Sequence, residues 1–190
     1  MSAIASRDRA RQIYHPDKKQ TWFYAALEIR CGVEARMREY LKHQKNVSEK
    51  RKKGWKLAVL AKDIERTFKK GHKEAIFTLT LPSGESIKLT YTPVTPELRS
   101  IVEKFGNYLH ALKESEMEKD NFWEDFKILI ERGLELLDYS VKGSLLGVPL
   151  KDKNNRVAIF AIISEEEREL AERFLAEERI TMHVDYRELS

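Results

Sequence analysis

The sequence predicts an α+β protein: a helical bundle carrying an inserted β-hairpin, followed by a small C-terminal strand–helix–strand unit. Three observations lead there. Apolar residues recur at helical spacing through most of 20–142, the period drops to two between 74 and 92, and alternation returns after Gly143. The expected organisation is therefore an N-terminal arm at 1–19, a helical domain at 20–142 with its hairpin at 74–92, and a C-terminal α/β unit at 143–190.

Taken in order, the opening "MSAIASRDRARQIYHPDKK" is polar, with Arg7, Arg9 and Arg11 closely spaced, and reads as a loose arm or a short helix. The first strong helix spans about 20 to 44. A second runs from an N-cap at Ser48 to about Lys70, with Gly71 as its stop. In "AIFTLTLPSGESIKLTYT", Phe77, Leu79 and Leu81 share one side of a strand. Pro82-Ser83-Gly84 turns the chain, and Ile87, Leu89 and Tyr91 alternate on the return. Thr95 and Pro96 start a helix whose stripe is Leu98, Ile101, Val102, Phe105, Leu109 and Leu112. Asn121 is placed to cap "FWEDFKILIERGLELLDYS", which is apolar around most of its circumference and so belongs at the centre. "SLLGVPL" and "RVAIFAII" read as a further hairpin. Ser164 and Glu167 form a capping box for the last helix, with Glu165 and Glu166 adding favourable charge there. "ITMHVDY" is the final strand, and a right-handed crossover would join it to the preceding one if the two are parallel.

Composition narrows the class. A chain of 190 residues, 42% hydrophobic, suffices for one core or for one domain with a small appendage. Charged residues are 35% of the total with a net charge of +4, a modest excess compatible with an anionic partner. The single Cys31 cannot form an internal disulfide, which suits a reducing compartment. No apolar run has signal-peptide or membrane length, so a soluble cytoplasmic protein is expected. No phosphate loop, dinucleotide fingerprint, metalloprotease pair or nucleophile elbow occurs, so neither cofactor nor metal is expected. His183 and Asp185 share a strand face, but two residues make a weak metal site.

The first helix poses a question. Projected at about 100° per residue, Trp22, Phe23, Ala26, Leu27, Ile29, Val33, Met37, Tyr40 and Leu41 form one broad apolar sector, and Arg30 and Glu34 fall inside it. Four residues apart, they reach each other. They form either a buried ion pair that fixes helix register or the lining of a polar pocket. Facing partners are offered by Arg99, Glu103, Gly106 and His110, which follow one flank of the helix from Pro96. Gly106 costs that helix about 1 kcal/mol relative to alanine, as if a close crossing or an incoming side chain needed the space. Arg36 and His43 lie beside the apolar sector, where solvent can reach them.

"FYAALEIRCGVEARMREYL", followed later by a helix containing "GNYLHAL", resembles the HEPN superfamily across residues 20 to 140. The resemblance implies a four- to five-helix bundle, often dimeric, that binds nucleotides or cleaves RNA in toxin or phage-defence systems. Its active members carry an Arg, then four to six residues, then a His. Arg36 and Arg38 stand at that distance before His43, as do Arg9 before His15 and Arg66 before His72. His110 departs from the pattern, with Lys104 where an arginine would stand. Metal-independent RNA cleavage needs a base for the 2′-hydroxyl proton and a cation for the phosphorane charge, roles that fit His43 or His110 and Arg36.

The stretch "KHQKNVSEKRKKGWK" places Lys42, Lys45, Lys50, Arg51, Lys52, Lys53 and Lys56 around the junction of the first two helices, with Trp55 among them. Such a run neutralises nucleic-acid phosphates beside an aromatic for stacking, or else is a solvated turn with Trp55 in the core. Two functions are thus expected in competition. One is an RNA-binding protein of prokaryotic stress or defence type, with or without ribonuclease activity. The other is a non-catalytic homodimeric interaction module.

Overall fold

Helix α2 (Lys19–Lys42) is the axis around which the protein is built. Its inward residues, Trp22, Ala25, Ala26, Ile29, Val33, Met37, Tyr40 and Leu41, are all buried, because helices pack on it from several sides. The structure is a computed structural model and describes residues 2–42, 44, 47–52, 57–68, 71–109, 121–151, 157–177 and 179–188. The other elements are α1 (Ala3–Ile13), α3 (Glu49–Lys52), α4 (Leu57–Thr67), α5 (Pro96–Leu109), α6 (Phe122–Lys142) and α7 (Arg168–Ala176). The strands are β1 (Glu74–Thr80), β2 (Ser86–Tyr91), β3 (Leu150–Lys151), β4 (Val157–Ala158) and β5 (Thr181–Arg187). The protein is mixed α and β, with seven helices among the described residues and a small antiparallel three-stranded sheet.

Helices α1, α4, α5 and α6 all pack against α2. At one end Trp22, Phe23, Phe105, Tyr108, Phe122, Trp123 and Phe126 form a cluster of edge-on and tilted rings, with Tyr108 stacked on Phe126 at 4.3 Å. The hairpin forms where it was expected, with Phe77 opposite Leu89, Leu79 opposite Ile87 and Gly84 at φ +91° in the turn. Thr95 caps α5 through its Oγ1, which accepts the Leu98 N–H at 3.0 Å. Among the described residues no helix is long and apolar enough to cross a membrane.

Three expectations change. The polar opening is the short helix of its two readings, and it is docked: Ser2 caps it, Ala3, Ser6 and Ala10 are buried, and Arg7 and Arg11 both pair with Asp138 on α6. Gly32 makes the approach close, since a Cβ there would lie 2.8 Å from Leu137 Cδ2 and 3.3 Å from Ser6 Cβ. Asn121 stands at the start of α6, but its side chain makes no capping hydrogen bond. Ser164 does bond Glu167, side chain to side chain at 3.0 Å, yet α7 begins only at Arg168.

The largest change concerns the C-terminal unit. β5 does not close a crossover there. It pairs antiparallel with β1, giving the sheet order β2–β1–β5. Residues 144–151 and 157–162 pair with each other as a broken hairpin, through the Leu145–Ala161 bridge and the β3–β4 pair, with Gly147 at φ +130° between them. The outer side of β1 is free to accept a strand, and Met182 and Val184 there cover apolar core that a separate unit would leave wet.

Candidate nucleic-acid interface

The C-terminal half of α2 divides its charged residues between inside and outside. Arg36 points inward and is 0% exposed, contrary to the expectation that solvent reaches it. Its Nε–H lies 2.9 Å from both Tyr40 Oη and the Ser140 carbonyl, and Nη2 donates to the Gly143 carbonyl at 2.7 Å. Nη1 reaches Glu39 Oε2 at 3.1 Å. Arg36 thus satisfies the orphan carbonyls at the end of α6, where the helix dipole also favours a cation. Around it the Tyr40 hydroxyl donates to Thr92 O, the Thr92 hydroxyl to Ser140 O at 2.9 Å, and the Gly143 N–H to Thr92 Oγ1 at 3.1 Å. Burial pushes the Tyr40 hydroxyl pKa up, which keeps it a donor. A guanidinium held on every side by protein has nothing left for a substrate phosphate.

Arg38 and Lys42 take the opposite direction. With Lys52 on α3, and with Ser2, Ala35, Glu39 and Glu49, they line a groove of about 520 Å³ between the start of α1, the end of α2 and α3. Three cations share it with two carboxylates, and both carboxylates are engaged: Glu39 accepts Arg36 and the Ala3 N–H, and Glu49 pairs with Lys52 at 2.7 Å. The positive end of α1 opens on the same groove through Ser2. The groove's floor was legible only in part. Lys42 and Lys52 belong to the basic run, while Arg38 joins them through the fold.

The remaining candidates scatter. Arg51 is tied to Asp63 of α4 by a two-point ion pair, so it braces α3 on α4. Lys50 is exposed. Lys45, Lys53, Trp55, His43 and His110 lie outside the described residues. Arg30 and Glu34 do pair, at 3.2 Å, but their side chains are 29% and 13% exposed and Arg38 stands 3.9 Å from the same carboxylate. They lie on the flank of α2 beside Leu27, itself exposed, and not under the core. Arg99 and Glu103 do not face them. Arg99 pairs with Glu65 of α4 at 3.0 Å, and both line a trough between α4 and α5 together with Lys62, Ser100 and Glu103. No described atom approaches the open side of Gly106, so no close crossing explains it.

Sequence reasoning missed two features of this trough. Arg99 Nε–H is buried with no acceptor among the described residues, and His72 lines the narrow cavity behind it with Tyr40 and Tyr91. The turn after α4 is closed by the Gly71 N–H donating to Phe68 O at 2.9 Å. Among the described residues no group of three His, Cys, Asp or Glu could hold a metal ion. No family model, no curated protein and no solved structure matches the chain.

Proposed function

We propose that the chain is an RNA-binding protein of prokaryotic stress or phage-defence type, with a HEPN-like helical body, that holds the RNA backbone in the groove between α1, α2 and α3. The observation that carries this reading is the convergence of Arg38, Lys42 and Lys52 on one concave surface at a helix N-terminus. The basic run 45–56 continues from the same place in the chain. In the Lys52–Glu49 pair Glu49 is 75% exposed but the Lys52 side chain only 13%, so Arg38 and Lys42 offer the more open cations of the groove.

Binding is favoured over cleavage. Arg36, one of the two arginines at the motif's distance before His43, is spent on the α6 terminus, so cleavage would rest on His43 with Arg38 alone of that pair. The second reading, a non-catalytic interaction module, draws its support from that same buried arginine.

The test is binding of a labelled single-stranded RNA at two salt concentrations, with a parallel gel for cleavage. Replacing Arg38, Lys42 and Lys52 together with Ser should weaken binding and flatten the salt slope by about 2, at about 0.7 per phosphate contact for single strands. Equal affinity and an equal slope would remove the RNA reading and leave the interaction module. Cleavage abolished by His43→Ala would add the enzymatic step.

A further inference from the structure

Arg99, in the first turn of α5, has a guanidinium that the protein uses only in part. Its Nη1 donates to Glu65 of α4 at 3.0 Å, but its Nε is the one buried side-chain nitrogen or oxygen left without a partner among the described residues. Arg36 shows how completely this chain satisfies a guanidinium it encloses, with acceptors for Nε, Nη1 and Nη2. Buried donors are paired almost throughout folded proteins, so an orphan calls for an acceptor that the chain itself does not supply. Two spaces have Arg99 as a wall. The inner one, of about 30 Å³, is lined by Met37, Tyr40, Ile64, His72, Tyr91 and Val94. A single water needs about 10–15 Å³, so this space takes about two oxygen-sized atoms: a carboxylate enters, a tetrahedral phosphate does not.

The outer space is the α4–α5 trough, about 440 Å³, which shares Ala61, Glu65, Pro96 and Arg99 with the inner one. Its size falls in the range of small-molecule sites, about 300–1,000 Å³. Leu57, Ala58, Ala61 and Pro96 give it apolar walls, and its charges balance, Lys62 and Arg99 against Glu65 and Glu103. The balance is unsuited to a polyanion and sets the trough apart from the groove at α1, α2 and α3, where three cations face two carboxylates. Glu65 is taken by Arg99, whereas Glu103 is exposed and forms no ion pair among the described residues. Arg99 and Glu103 are four apart, which sets their Cβ atoms about 5–6 Å from each other on one helix face. A ligand with its anion and its cation on a single carbon reaches both, and the apolar walls take what that carbon carries besides.

We propose that the α4–α5 trough binds a free α-amino acid with an apolar side chain. Its carboxylate accepts the Arg99 Nε–H, its ammonium lies against Glu103, and its side chain rests on Leu57, Ala58 and Pro96. The site shares no residue with the RNA groove and is measured without RNA, so either reading can fail alone. Thermal melts of the full chain in millimolar L-leucine, L-methionine or L-phenylalanine should shift upward with concentration, as for any ligand that binds only the folded state. Isocaproate, which is leucine without the ammonium, and isopentylamine, which lacks the carboxylate, should each need about tenfold more for the same shift as leucine. R99K keeps a cation beside Glu65 but has no Nε–H in that place, so it should weaken leucine about tenfold while circular dichroism stays that of the fold. E103Q changes an exposed side chain and should weaken leucine while leaving isocaproate as it was. No shift with any of the three amino acids would leave the inner space to water and overturn the proposal. So would isocaproate or isopentylamine as effective as leucine, or leucine binding indifferent to R99K or E103Q.

Discussion

Arg36 and Arg30 are six residues apart on one helix and differ in what surrounds them. Arg36 is wholly enclosed and bonds two carbonyls of α6, a tyrosine and Glu39. Arg36→Met should therefore cost about 3–5 kcal/mol, because it strands the buried Ser140 and Gly143 carbonyls and leaves its enclosed site without the cation. Arg30→Met should cost no more than about 0.5 kcal/mol, the worth of a flanking i,i+4 pair, and urea denaturation of the two variants separates them. The sequence shows both arginines at plausible helix angles but not which neighbours cover them. Leu27 widened the apparent apolar sector although it is exposed, and that drew attention to the wrong charge. Cys31, between Arg30 and Arg36, has its thiol pKa raised by burial and then by Glu28 and Glu34. A thiol whose folded pKa is raised holds its proton longer, so it favours the fold below its ordinary value and loses that stabilisation as pH rises through the shifted one. Its reaction with a disulfide reagent at pH 8 should be slower than that of a free cysteine and recover in urea. Equal rates would mean an open site.

Elements meet here through small residues and shared polar groups. Gly143, where α6 ends, has φ −66°, so its role is one of space rather than backbone freedom. A Cβ there would come within 2.4 Å of Thr92 Oγ1 and 2.8 Å of Thr90 O and Thr92 N, and two of those atoms are backbone that cannot step aside. Gly143→Ala should destabilise by about 1–3 kcal/mol, as overpacking does. Thr92→Val, which removes the hydroxyl between Gly143 and Ser140, should be less than additive with it because both disturb one network. A double-mutant cycle by thermal melting checks this, and strict additivity would separate the two residues. Gly143 looked like a boundary because the hydrophobic period changes there. The hairpin and the Thr95 cap were legible for the opposite reason, since neighbours in sequence fix their geometry.

At the scale of the whole molecule, the route of the chain decides whether the C-terminal residues form a unit. Alternation in "TMHVDYR" announces a strand, but a strand's partner is chosen by burial far away in sequence, and nothing local tells β1 from β4. Pairing with β1 brings residues about a hundred apart into register and lays Met182 and Val184 on the common core. Glu85 in the hairpin turn also holds Arg173 of α7 at 2.6 Å. At the other end, Asp138 fastens α1 to α6. The sheet and bundle should therefore unfold as one cooperative system. Hydrogen exchange in moderate urea should give α2, α6 and β1 amides the same limiting opening free energy. β1 would match them only if β5 stays paired until the bundle opens. A chain ending at Ser164 keeps every helix from α1 to α6 and the hairpin but exposes Phe77, Leu79 and Leu81 on a sheet of two strands. It should melt earlier, with the bundle destabilised too. A bundle as stable as in the full chain would show that the last strand is an accessory and that the cooperative unit stops at α6.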